Sequence, residues 1–144
     1  MFTGFIPDHL EIDRELYETQ PTFRRVLDYC DQITQPFLGK SLIDILYSPN
    51  IDNVLNDEVA RAIALYALQV ALVELWKSWG IVPDVIMGTS LGEVAAGHTA
   101  GIFSLEDGIK MLKITITKVQ IESKAKLGMM VGIFAPEEIG RAHV

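Results

Sequence analysis

Apolar residues recur along this chain at helical spacing in three long runs, divided by polar punctuation. In the first, Phe23, Val26, Leu27, Cys30 and Ile33 fall on one stripe behind Pro21, which suits a first helical turn. Thr34, Gln35 and Pro36 are expected to stop that run. Ser41 with Asp44 three residues on has the pattern of a capping box for a short helix through Tyr47. Residues 48–56 are polar and turn-rich and read as a loop. The longest predicted helix covers residues 57–79 and ends at Gly80. It is apolar on most of its circumference, so it should be buried on several sides and packed against a sheet. Val85, Ile86 and Met87 read as a short buried strand, and Ala100 and Gly101 as a turn. Ser104 with Asp107 forms a second capping box. Leu105, Ile109, Leu112, Ile116 and Val119 then make a stripe favouring a helix to about residue 124. Residues 114–117 also alternate like a strand, which sets two periodicities against each other there. Residues 127–134 read as a strand and 136–142 as a short helix. No repeat or low-complexity tract interrupts the pattern.

Composition narrows the class. At 144 residues and 49% hydrophobic, the chain can form one domain with a core. A formal net charge of −7 offers no basic face to offset phosphate repulsion, which argues against nucleic acid as a partner. The single cysteine, Cys30, excludes an internal disulfide and fits a reducing compartment. The N-terminus has no basic segment followed by an apolar one, so no secretory signal is read. The most apolar stretch, residues 62–73, is too short to span a bilayer and is bounded by Arg61 and Glu74. A cytoplasmic chain without a membrane partner is the expectation.

Candidate chemistry centres on Gly88-Thr89-Ser90-Leu91-Gly92, between the apolar run at 85–87 and a helix-forming run. A serine between two glycines at a strand-to-helix junction matches the nucleophile elbow. A sharp turn holds the serine in a strained geometry, and side chains two residues away would clash with the crossing backbone. Ser90 would then project near the N–H groups of a helix start, which favour developing negative charge. A chance match in a loop is the competing reading for so short a pattern; the strand–turn–helix context favours the nucleophile.

The stretch from residue 65 to 112, LYALQVALVELWKSWGIVPDVIMGTSLGEVAAGHTAGIFSLEDGIKML, strongly resembles the acyltransferase domains of modular polyketide synthases and the malonyl-CoA:acyl-carrier-protein transacylases. RELYETQPTFRR at 14–25 resembles the segment that follows the family's N-terminal glycine-rich motif. The resemblance implies an α/β fold: the N-terminal part of an α/β-hydrolase-like large subdomain, with a short parallel sheet and a nucleophile elbow. Residues 1–126 would belong to that subdomain, and 127–144 would begin an inserted ferredoxin-like subdomain, cut before it is complete. It implies further that Ser90 takes an acyl group, malonyl or related, from CoA and passes it to the phosphopantetheine thiol of an acyl-carrier protein. Flanking synthase domains would complete a longer parent chain. No bound cofactor and no metal are expected.

Several positions depart from the family pattern. The histidine that usually precedes the nucleophile is Thr89, which cannot titrate near neutrality. The family's Gly-Gln-Gly-Ser-Gln motif falls on Gly4-Phe5-Ile6-Pro7-Asp8, so the oxyanion hole would pair the main-chain amides of Leu91 and Phe5. Thr115 stands where extender-selecting enzymes carry an arginine for the acyl carboxylate, and a neutral threonine cannot form that bidentate pair. Thr89 and Thr115 are therefore the expected substrate contacts, with dicarboxylic selectivity in question. The family's general base lies about a hundred residues beyond the nucleophile, past Val144. Of the histidines present, His98 is two helical turns from Ser90 and reads as structural, His9 lies in an irregular segment, and His143 at the end. Weak activity of this chain alone is thus expected.

The remaining features read as structural. Glu93 would cap or orient the elbow helix. Lys110, Lys113, Lys118, Lys124 and Lys126 would form a solvated helix face, and Trp76 and Trp79 core and rim packing. Two rival functions stand beside the acyltransferase: a non-catalytic scaffold or docking domain, which the missing motif residues favour, and a serine hydrolase, for which the elbow alone would suffice.

Overall fold

Local capping chemistry sets the helix boundaries. The computed structural model describes residues 1–4, 14–47 and 57–124, with side chains described to 121. Helix α1 spans Arg14–Thr19 and α2 spans Pro21–Leu38. The phenol of Tyr17 donates to Asp28 Oδ1 at 2.6 Å, joining the two, and that acceptor pushes the Tyr17 pKa up to about 12. Pro36 does not stop α2, contrary to the sequence expectation. Within the last turn its missing N–H removes a single bond, and the helix ends instead at Gly39, whose φ of 66° lets its N–H reach the carbonyl of Gln35.

Ser41 caps α3, Leu42–Leu46, by accepting from the amides of Ile43 and Asp44. Asp31 of α2 in turn accepts from the Ser41 hydroxyl at 2.9 Å and from the amide of Leu42, so the cap is fixed to its neighbour. Asp57 caps α4, Glu58–Ser78, through the amides of Val59 and Ala60. Gly80, at φ 82°, closes its far end with a bond to the Lys77 carbonyl. Helix α5 spans Gly92–Thr99, and Gly101 ends it at φ 76°. Ser104 opens α6, Leu105–Lys124: its hydroxyl donates to Asp107 Oδ2 at 2.7 Å and accepts from the Asp107 amide at 3.1 Å. The helical reading of residues 114–117 prevails over the alternating one.

The core forms around α4. Ile63, Ala64, Tyr66, Ala67, Val70 and Ala71 are buried on different sides of it, against Phe23, Leu27 and Cys30 of α2, Ile45 of α3, Ala95 of α5 and Ile109 and Leu112 of α6. Small alanines let the neighbours approach on all sides, as an all-round apolar helix requires. At 21 residues and mean hydropathy 1.5, α4 is long and apolar enough to cross a membrane, so the shortness argued from residues 62–73 does not hold for the whole helix. Its packing inside this helical layer is what identifies it as a core helix.

The expected parallel sheet is reduced, among the described residues, to one parallel bridge between Phe2 and Gly88. The Phe2 amide donates to the Met87 carbonyl at 2.9 Å, and the Thr89 amide donates to the Phe2 carbonyl at 3.0 Å. The packing of α4 is accordingly against other helices. Residues 85–87 are not buried either: Val85 is 79% exposed and Met87 56%. A strand is buried only by neighbours on its faces and edges, and no described segment covers these. Trp76 and Trp79 are half-exposed, stacked edge to face at 5.4 Å, rather than in the core. The loop expected at 48–56 and the strand and helix expected after 126 lie outside the described residues.

Candidate active site

Ser90 is the single non-glycine residue with positive φ among the described residues, at 55°. Left-handed backbone is costly for a residue with a Cβ and persists where its surroundings enforce it. The enforcement is visible. The Gly92 amide donates to the Thr89 carbonyl at 3.0 Å and the Glu93 amide to the Ser90 carbonyl at 2.9 Å, closing the turn into α5. A Cβ on Gly88 would lie 2.6 Å from the Glu93 nitrogen and closer still to the Gly92 carbonyl. A Cβ on Gly92 would lie 2.7 Å from the carbonyl carbon of Phe2. Both glycines are therefore fixed by contact, as the elbow pattern requires.

The N-terminal segment lies across this turn. Gly4 is packed so tightly that a Cβ there would meet Ser90 Cβ at 2.7 Å and the Leu91 nitrogen at 2.6 Å. No described residue accepts the Leu91 N–H, so this donor is open beside the serine. Phe5, the other expected oxyanion donor, lies outside the described residues; Gly4, its chain neighbour, touches both Ser90 and Leu91.

Ser90 and Leu91 border a cavity of about 380 Å³. Val94, Phe103, Met111 and Leu112 give it apolar walls, and Glu93 and Thr115 are its charged and polar members. The structure thus brings Ser90, Leu91 and Thr115 to one cavity, while Thr89 is not among its lining residues. Glu93 does not cap α5: the helix has no side-chain cap, and its carboxylate makes no hydrogen bond or ion pair with any described residue. Sequence reasoning missed Phe103 and Met111 as lining residues, because their approach to Ser90 depends on how α6 docks.

His98 is turned away from the serine. Its Nδ1 is 3.2 Å from the Phe103 carbonyl, and its ring meets Tyr66 edge on at 6.2 Å. Burial pushes the Tyr66 phenol well above its ordinary range. His9 and His143 lie outside the described residues. Among the described residues, no group of three or more His, Cys, Asp or Glu could hold a metal ion.

An αL serine between contact-enforced glycines thus stands at the mouth of a mostly apolar cavity. Residues 12–133 match the family described as the acyl transferase domain, and the chain belongs to it. It is 36% identical over 106 residues to probable polyketide synthase 23 of Dictyostelium discoideum, covering 73% of this chain and 4% of that protein. With the mycoketide-CoA synthase of Mycobacterium tuberculosis it shares 34% identity over 137 residues, 92% of this chain and 3% of that protein. The solved acyl transferase domain of ZmaA matches with TM-score 0.72 and 30% identity, over 85% of this chain and 29% of that one. A loading acyltransferase from the avermectin modular polyketide synthase matches with TM-score 0.69 and 30% identity, over 77% of this chain and 35% of that one. The chain therefore spans a few per cent of these synthases and about a third of the solved acyltransferase chains. These likenesses bear out the acyltransferase fold inferred from the sequence.

Proposed function

We propose that Ser90 is the nucleophile of an acyltransferase that moves an acyl group from CoA to the phosphopantetheine thiol of an acyl-carrier protein, as one domain of a cytoplasmic polyketide-synthase system. The observation that carries this reading is the positive φ of Ser90, enforced by Gly88 and Gly92 at the edge of the cavity. Strain of this kind presents the side chain at the tip of the turn. Ser90 Oγ attacks the thioester carbonyl carbon, the Leu91 and Phe5 amides hold the oxyanion, and the C–S bond breaks. The serine proton ends on the departing CoA thiol. The carrier thiol then attacks the acyl-serine and restores the hydroxyl. Thr115, which lines the cavity, contacts the acyl group as a neutral partner.

Incubation with radiolabelled acetyl-CoA and malonyl-CoA, read by intact mass and peptide mapping, tests this. The expected result is slow acetylation of Ser90, lost in Ser90→Ala, with negligible malonyl transfer. Label that persists in Ser90→Ala overturns the assignment. A folded chain, by circular dichroism, that takes no label from either donor favours the non-catalytic scaffold. His98 is engaged with Phe103 rather than Ser90, and that observation keeps the second reading in play.

A further inference from the structure

The end of α4 and the segment that leaves it carry one apolar face. Gly80 turns the chain, and the Ile81 amide donates to the Trp76 carbonyl at 3.1 Å, which holds Ile81 against the helix end. Ile81, Pro83 and Val85 then share a second cavity, of about 330 Å³, with Phe2, Val73 and Trp76. It has no lining residue in common with the cavity beside Ser90. Trp79, just past α4, stands next to this hollow without lining it: its ring meets Trp76 edge on at 5.4 Å, and 55% of the residue is open. Charge is nearly absent here. Lys77 and Glu74 satisfy each other at 2.9 Å, and Asp84 is the single charged residue of 81–88.

We infer that this face joins two copies of the chain in a two-fold dimer, with Trp79 of each copy entering the other's cavity between Val73, Trp76 and Val85. The inference is independent of the role of Ser90. A two-fold interface needs a patch complementary to itself. Here a projecting indole and an apolar hollow lie side by side. About half of each tryptophan and of Ile81 is open, and most of Val85. On a scale of about 150–250 Å² for an aromatic side chain, the exposed apolar face is on the order of 500 Å². That is roughly the apolar share of the ~800 Å² each partner contributes to a standard interface. With Glu74 and Lys77 already paired, a charged partner would find little to bind. Two copies of net charge −7 repel at long range, and salt that screens the repulsion should favour their meeting. Once both indoles are seated the face is covered on each copy, so assembly stops at two.

Sedimentation velocity of the full chain from about 1 to about 100 µM tests this, since interfaces of this size reach micromolar affinity or tighter. The species should grow from 16.0 kDa to twice that mass and no further. Its share should rise between about 50 and about 500 mM salt. Trp79→Glu should weaken association by about thirtyfold, the scale of a hot-spot residue, and Val85→Lys should act likewise. Both positions are exposed, so the circular dichroism spectrum should not change. Val85→Lys, outside the helices, decides the matter if Trp79→Glu disturbs the end of α4. Ile114→Glu, at an exposed position on α6, should leave the dimer intact. Trp76→Phe leaves Trp79 as the single tryptophan, and its emission should shift to the red as the dimer dissociates on dilution. A monomer at every concentration overturns the inference and assigns the face to some other occupant. Growth beyond a dimer overturns it too, as does equal weakening by Ile114→Glu.

Discussion

Gln69, in the middle of α4, donates from Nε2 to the main-chain carbonyl of Thr3 at 2.8 Å. That bond fastens the core helix to the segment lying on the Ser90 turn, since Phe2 bridges to residues 87–89 and Gly4 touches Ser90 and Leu91. Position 69 is the one amide in the apolar stretch 62–73, a signal that was present in the sequence without its partner.

Gln69→Ala should therefore loosen the segment more than the fold. Loss of a half-exposed hydrogen bond costs about 0.5–1.5 kcal/mol. Acylation of Ser90 should fall by more than that stability change accounts for, and Gln69→Glu, which cannot donate, should behave like the alanine variant. Paired urea unfolding and acetyl-labelling rates check this. Unchanged labelling in both variants would remove Gln69 from the positioning of the turn.

The strain at Ser90 has its own signature. Alanine keeps the Cβ that left-handed backbone disfavours, whereas glycine removes it. Ser90→Gly should be more stable than Ser90→Ala by about 1 kcal/mol, although glycine also loosens the unfolded chain. Denaturant midpoints of the two variants decide it. The opposite order would mean that the turn relaxes when the hydroxyl is lost.

Caps and stops were legible in the sequence because they are local: Ser41 and Ser104 each bond amides within three residues, and Gly80 and Gly101 supply positive φ where a helix ends, whereas Asp57, read as the first helical residue, is the cap. The elbow was legible for the same reason. Pro36 was misread, since a proline signals a break without saying how much helix remains to be lost. The exposure of Val85 and Met87 lay beyond local reasoning. Whether an apolar run is covered depends on segments far away in sequence, as does the docking of Thr115, Met111 and Phe103 around one cavity.

Cys30 is fully buried between α2 and its neighbours, and desolvation pushes its thiol up to about 12. At pH 8 only about one such thiol in 10⁴ is ionised, and the thiolate is the reactive form. Iodoacetamide should label native Cys30 at the rate of unfolding rather than at a chemical rate. Labelling as fast as in denaturant would show that the core around α2 is open.

Asp107 carries the opposite shift. Donation from the Ser104 hydroxyl holds its carboxyl below the ordinary range, with nearby Lys110 adding to the effect. A carboxyl with a lowered folded pKa stabilises the fold above its unfolded pKa. That contribution is lost as pH falls through the folded value. The start of α6 should therefore weaken below the usual carboxylate range, and Ser104→Ala should flatten that part of the pH–stability curve. Thermal melts of both proteins from pH 7 down to pH 3 measure it. Parallel curves would mean that this cap does not respond to protonation.

Gly4 offers the sharpest separation of site from fold. A Cβ at this position would sit 2.6 Å from the Leu91 nitrogen, in front of the amide proposed to hold the oxyanion. It would also press on Ser90 Cβ at 2.7 Å and on the Thr89 carbonyl. The segment carrying Gly4 joins the fold through the Phe2 bridge, the Thr3–Gln69 bond and the packing of Phe2 on the core, none of them internal to α4, so a local shift need not unwind that helix. Gly4→Ala should then keep the helical spectrum and the melting temperature within a few degrees, while acetyl transfer to Ser90 falls by about 10²–10³, the usual cost of one oxyanion donor. Labelling kinetics beside circular dichroism give both numbers on one sample. Wild-type labelling in Gly4→Ala would show that the Leu91 amide takes no part in the reaction. A collapse of the fold would show that the N-terminal segment is an integral part of the core.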